Sequence, residues 1–75
     1  MTQRYYLVEW DDERSSVLRT VERYGKVMLE EKSNRGDWFH WDRSEKYFLE
    51  NRSKYYVVTP ITKEVADIII AEYHV

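Results

Sequence analysis

The first stretch of the chain with a clear apolar pattern runs from Arg4 to Trp10 and is rich in Tyr, Leu, Val and Trp. These residue types favour strands, and the run ends at a cluster of acidic residues, as is typical of a strand followed by a turn. In an extended chain one face carries Tyr6, Val8 and Trp10, and the other carries Tyr5 and Leu7. Because both faces present side chains to bury, the pattern predicts a strand inside a sheet and not at its edge.

Residues 16–24 fit two different structures. Val17, Leu18, Val21 and Tyr24 have the spacing of a helix face. Against a helix, the segment is made largely of Ser, Thr and Val, which are weak helix formers, and the polar residues 11–15 before it suit a hairpin loop. We favour a strand. A helix would instead give the order βαββαβ with an added terminal helix.

Two further strands and a short helix are predicted in the middle of the chain. The apolar residues within Lys26 to Lys32 indicate a strand, the sequence Asn34-Arg35-Gly36-Asp37 is a turn signal, and Trp38 to Trp41 would return antiparallel. Glu45 follows Asp42 by three residues, a spacing that resembles a capping box. We therefore expect one or two helical turns that begin at Asp42.

The last third of the chain predicts a strand and a helix. Tyr55 to Thr59 is a β-branched and aromatic run, and Pro60 is expected to end it. Thr62 is positioned as the N-cap of a helix that continues to about Tyr73, because apolar residues recur on one face at helical spacing. The apolar sector spans roughly 200°, which is wider than the stripe of about 100° that covers one sheet. Part of that sector therefore needs a second neighbour.

Together these elements predict a small α+β domain, residues 1–75, in which an antiparallel sheet of four or five short strands is covered on one face by the C-terminal helix. The chain is short for a domain with one hydrophobic core, and it contains no cysteine and only two histidines. Disulfides and thiolate zinc sites are thereby excluded. We identify no motif for catalysis, for phosphate binding or for a metal, and we expect neither enzymatic activity nor a cofactor.

The net charge of the chain and its targeting signals indicate which partners it can bind and in which compartment it is expected. Twelve basic and fourteen acidic residues give a net charge of −2, which argues against general affinity for nucleic acid. We find no signal-peptide layout and no apolar run as long as a membrane span, so we expect a cytoplasmic protein that does not bind membranes.

The segment from Asn34 to Lys54 holds the candidate binding site, because it interleaves aromatic and basic side chains. From Lys32 to Lys54 there are six basic and four acidic residues, which makes this region locally positive. Trp, Tyr and Arg dominate the energetics of protein interfaces. The residues expected to contact a partner are Arg35, Trp38, Phe39, Trp41, Arg43, Lys46 and Tyr47.

Three interpretations of this segment remain open. The first, which we favour, is a non-enzymatic protein-binding module, for example a small regulator or inhibitor. The second is single-stranded nucleic-acid binding, with the rings stacked on bases and Arg and Lys on the backbone. In the third, the rings complete the core or close a homodimer together with the C-terminal helix.

Overall fold

The structure is a computed structural model that describes residues 3–11, 13–33, 37–51 and 54–73. Within these ranges the chain forms five strands and two helices. In chain order they are β1 (Tyr5–Trp10), β2 (Ser15–Arg23), β3 (Lys26–Lys32), β4 (Phe39–Ser44), α1 (Glu45–Glu50), β5 (Tyr56–Ile61) and α2 (Lys63–Tyr73). This is the α+β fold that the sequence predicts.

All strands lie in one antiparallel sheet with the order β4-β3-β2-β1-β5. β1 therefore has a neighbour on each side, as expected from a strand with side chains to bury on both faces. The ambiguous segment 16–24 is a strand for most of its length, since β2 pairs with both β1 and β3. The strand predicted to begin at Trp38 begins at Phe39 and does return antiparallel to β3. The turn predicted at 34–37 falls largely outside the described residues.

A two-residue turn joins β2 to β3. Tyr24 has φ 54° and Gly25 has φ 76°. Positive φ at both central residues characterises the type I′ turn, whose twist matches that of the flanking strands. Glycine adopts this conformation without penalty, whereas a tyrosine does so at a cost.

Helix α1 covers one face of the sheet, which we call the α1 face. Its hydrophobic cluster contains Tyr6 and Val8 of β1, Leu18 of β2, Leu29 of β3 and Phe48 of α1. Phe48 is the buried α1 residue of this cluster, and its ring contacts those of Tyr6, Trp41 and Tyr56. Each such aromatic ring buries a large apolar area, which compensates for the short chain.

Helix α2 covers part of the opposite face, which we call the α2 face. Tyr5, Val17 and Ala66 are buried there, with Ile69, Ile70 and Tyr73 of the helix packed around them. The N-cap prediction is confirmed, because the backbone N–H of Val65 donates to Thr62 Oγ1 at 3.2 Å. The sheet thus has a helix on each face, and the N-terminal half of the chain supplies most of both cores.

Two local predictions are wrong. The N-cap of α1 is Ser44 and not Asp42: Ser44 Oγ accepts a 3.1 Å hydrogen bond from the N–H of Tyr47, while Asp42 still lies in β4. Pro60 does not end β5, which continues to Ile61. Proline is tolerated there because β5 is an edge strand and has β1 as its one neighbour in the sheet.

Candidate protein-binding groove

The structure distributes the six described candidate residues over several surfaces. Arg35 lies outside the described residues. Trp38 and Trp41 are half-buried, whereas Phe39, Arg43, Lys46 and Tyr47 are exposed. The rings therefore do not share one continuous surface.

Trp38 lies on the α2 face. It packs against the cluster around Val17, and the guanidinium of Arg19 lies 3.8 Å from the centre of its ring. A cation over the ring face at this distance is a stabilising cation–π contact. One face of the Trp38 ring is therefore already occupied within the chain.

Trp41 points to the opposite side and belongs to the α1 face. Its ring stands at 90° to that of Phe48, with 5.2 Å between the ring centres. Its indole Nε1 donates a 2.9 Å hydrogen bond to Glu31 Oε1. Both the apolar body and the polar atom of Trp41 are thus engaged inside the fold, which favours a structural role for this residue.

Arg43, Lys46 and Tyr47 do come together, at one open groove. The groove has a volume of about 540 Å³ and lies where the start of β3, the end of β4 and α1 meet. Its lining residues are Lys26, Val27, Met28, Asp42, Arg43, Ser44, Glu45, Lys46 and Tyr47. The short connection from β4 directly into α1 is what brings the last three candidate residues onto one side of β3.

The groove combines apolar and basic side chains. Val27 and Met28 are half-buried, while Lys26, Arg43 and Lys46 are exposed. The guanidinium of Arg43 lies 4.7 Å from the centre of the Tyr47 ring, and this ring remains 45% exposed. Stacking holds Arg43 in place without using up its hydrogen-bond donors.

Glu45 is the one buried acidic residue of the groove lining. Its carboxylate accepts hydrogen bonds from Arg4 Nε at 2.8 Å, from Arg4 Nη2 at 2.6 Å and from the Tyr6 hydroxyl at 2.7 Å. These donors, Arg4 above all, hold the pKa of Glu45 below its ordinary value. Because Arg4 balances this charge, Asp42 is the acid that remains to oppose the three cations, and the groove is net basic.

One fully exposed ring, in the turn that precedes β3, was missed from the sequence. Tyr24 occupies the first position of the β2–β3 turn, two residues before Lys26, and its side chain is fully exposed. The Tyr-Gly dipeptide between two strand-like runs was the available signal, but it also fitted the end of a helix. A bulky side chain at positive φ is unfavourable, and such strain is frequently associated with a binding role.

A second polar cluster lies on the part of the α2 face formed by β2, β3 and β4. Both oxygens of Glu30 are engaged: Oε1 accepts from Arg19 Nε at 2.9 Å, and Oε2 accepts from Arg23 Nη2 at 3.0 Å. His40 Nδ1 lies 3.0 Å from Glu30 Oε2. With both of its oxygens held by guanidinium groups, Glu30 is poorly placed to take a proton from a substrate.

Among the residues that the structure describes, no group of three or more His, Asp or Glu side chains could hold a metal ion. Within the same residues, neither helix is long and apolar enough to cross a membrane. Comparisons with models of protein families, with curated protein sequences and with solved structures found no match to this chain.

Proposed function

We propose that the chain is a non-enzymatic protein-binding module whose groove between β3, β4 and α1 takes an acidic partner segment with an apolar side chain. The observation that carries this proposal is the stacked pair of Arg43 and Tyr47 at an open groove with two further cations. Arg and Tyr are enriched among the residues that dominate interface energetics.

The size and chemistry of the groove support a peptide segment as the occupant. A volume of about 540 Å³ accommodates a few side chains. Val27 offers an apolar contact for one anchoring side chain, because it lies on the same face of β3 as Leu29 and α1. Lys26, Arg43 and Lys46 would pair with carboxylates around that anchor, which favours an acidic segment and speeds its association.

Single-stranded nucleic acid is the less favoured occupant. Non-specific binders of this class stack successive bases on neighbouring exposed rings. Here Trp38 and Trp41 are half-buried on opposite faces of the sheet. Tyr47 is the one aromatic residue of the groove lining. If nucleic acid is nevertheless the occupant of the groove, the capture experiment would recover it.

The proposal is tested by affinity capture from the native lysate with the wild-type chain and two groove variants, Arg43→Glu and Tyr47→Ala. A control is provided by Lys54 and Tyr55, an exposed cation–π pair at 5.5 Å that does not line the groove. A stoichiometric protein partner should be retained by the wild type and by Tyr55→Ala, and it should be lost by both groove variants.

Two results would count against this function. A partner retained equally by wild type and groove variants would place the binding site elsewhere on the chain. Recovery of nucleic acid, released steeply as salt is raised, would favour the nucleic-acid interpretation instead. Circular dichroism of each variant shows whether its fold is intact before capture is interpreted.

A further inference from the structure

We infer that the acidic segment is supplied by a second copy of this chain. The exposed side of α2 that carries Val65 and Ile68, which we call the ridge, would dock in the groove of the next molecule. This inference rests on the proposed function of the groove and names its occupant. The two surfaces both carry apolar side chains and are opposite in charge.

The ridge consists of Val65 and Ile68, which lie one helical turn apart on the side of α2 that faces away from the sheet. Val65 is 42% exposed and Ile68 is 61% exposed. The opposite side of the helix, including Ala66 and Ile69, packs on the α2 face. The wide apolar sector predicted for this helix is therefore real, and the sheet leaves its outer part uncovered.

Acidic residues flank this ridge. At about 100° per residue, Glu64 and Glu72 project about 40° to either side of Ile68. Lys63 is the one basic residue of α2, and its Nζ pairs with Asp67 Oδ2 at 2.9 Å. The ridge therefore presents Ile68 between two carboxylates, with Val65 about 60° from Ile68 on the side of Glu72. An apolar side chain flanked by carboxylates is the chemistry that the groove is proposed to take.

The two surfaces lie on different parts of the molecule. Helix α2 packs on β1 and β2, whereas the groove is formed by β3, β4 and α1. Three cations of the groove face two anions of the ridge, and Val27 of the groove provides an apolar contact for Ile68 of the ridge. Complementary charge of this kind favours an encounter between the two surfaces and sets its orientation.

A symmetric dimer through α2 is the competing arrangement, and the charges oppose it. In an antiparallel pair of helices centred on Ile68, Glu64 of each copy would lie opposite Glu72 of the other. Like charges placed together in this way are destabilising. Head-to-tail contact avoids this repulsion, and it leads to a closed ring or to an open chain of molecules.

Sedimentation velocity with two surface variants tests the inference. Ile68→Lys disables the ridge, and Lys46→Glu disables the groove; both side chains are exposed, so the fold should persist. The wild type should form species larger than a monomer as concentration rises, and each variant alone should associate at least about tenfold more weakly. An equimolar mixture of the two variants should form a heterodimer and nothing larger.

Phe39→Lys is the matched control, because Phe39 is also 61% exposed and does not line the groove. This variant should assemble like the wild type. If Lys46→Glu alone still dimerises, the contact is symmetric through α2 and the inference is wrong. If the wild type stays monomeric at several hundred micromolar, the inference also fails.

A labelled synthetic peptide of glutamate and isoleucine separates this failure from that of the proposed function. If the wild type is monomeric but binds the peptide, and Lys46→Glu binds it about tenfold more weakly, the groove functions and takes a different protein. If the wild type neither assembles nor binds the peptide, both the inference and the proposed function are contradicted.

Discussion

Arg4 and Glu45, which are 41 residues apart, form a two-point ion pair with N–O distances of 2.6 and 2.8 Å. The pair joins the chain just before β1 to the first residue of α1, and the Tyr6 hydroxyl donates a third hydrogen bond to the same carboxylate. Since α1 has only six residues, tertiary contacts of this kind must supply most of its stability. The groove depends on the same pair, because Glu45, Lys46 and Tyr47 all line it.

Replacing Glu45 with Gln should destabilise the fold by about 1–3 kcal/mol, since Arg4 and Tyr6 would lose a charged acceptor that is largely buried. Urea unfolding measures this change. Glu50→Gln is the control, because Glu50 is an exposed residue at the other end of α1 and should change the stability by less than about 0.5 kcal/mol. Equal effects of the two variants would contradict a special role for Glu45.

The same carboxylate should make stability depend on pH. Hydrogen bonds from Arg4 lower the pKa of Glu45 below its ordinary value of 4.5. A carboxylate whose pKa is lower in the folded chain than in the unfolded chain stabilises the fold at pH values above the unfolded-state pKa. This stabilisation is lost as the pH falls through the folded-state pKa. The difference between the wild type and Glu45→Gln in urea unfolding should therefore be largest near neutral pH and should shrink below about pH 4.

Tyr6 extends the pH dependence to the alkaline side. Burial raises the pKa of its hydroxyl above 10.0, so the neutral form is retained in the folded chain. Stability should then fall above about pH 10, where the tyrosine of the unfolded chain ionises first. Tyr6→Phe should reduce this alkaline loss. An unchanged alkaline profile in Tyr6→Phe would show that other groups cause it.

Trp41→Ala should destabilise the fold by about 2–3 kcal/mol, because it removes a ring packed on Phe48 and leaves Glu31 without its indole donor. Phe39→Ala removes an exposed ring from the same strand and should cost much less. Thermal unfolding compares the two. Equal melting temperatures would mean that Trp41 is available for a partner.

Tyr24→Asn should stabilise the fold by about 0.5–1 kcal/mol, because asparagine tolerates the positive φ of this turn better than tyrosine and the Tyr24 side chain is fully exposed. Gly25→Ala should have the opposite effect, since it introduces a Cβ at φ 76°. Chemical unfolding of both variants provides the comparison. A loss of stability in Tyr24→Asn would indicate that the tyrosine ring contributes to the folded state.

Ser16→Ala should be neutral or stabilising by up to about 1 kcal/mol. Ser16 Oγ is buried and has no hydrogen-bond partner among the described residues. Removing such a group relieves its desolvation cost. Thr20→Val is the matched control on β2, because Thr20 Oγ1 accepts a 2.9 Å hydrogen bond from the Arg4 N–H and its loss should destabilise by about 1 kcal/mol. Similar costs for both variants would mean that Ser16 does have a partner.

Local patterns in the sequence predicted most of the secondary structure. The side chains on both faces of residues 4–10 predicted an interior strand, and Thr62 predicted the start of α2. These two predictions are confirmed because strand preference and helix capping depend on a few neighbouring residues. The errors at Asp42 and Pro60 have the same origin: the position of a cap and the tolerance of proline depend on how a strand is placed in the sheet.

The sequence by itself thus determined the α+β class, the strand and helix segments and the enrichment of aromatic and basic residues in 34–54. Only the tertiary structure decided that Trp38 and Trp41 enter different cores and that Arg43, Lys46 and Tyr47 share a groove with β3. It also decided that Arg4 neutralises Glu45. The physical reason is that burial and ion pairing depend on which segments become neighbours, and that follows from the strand order β4-β3-β2-β1-β5.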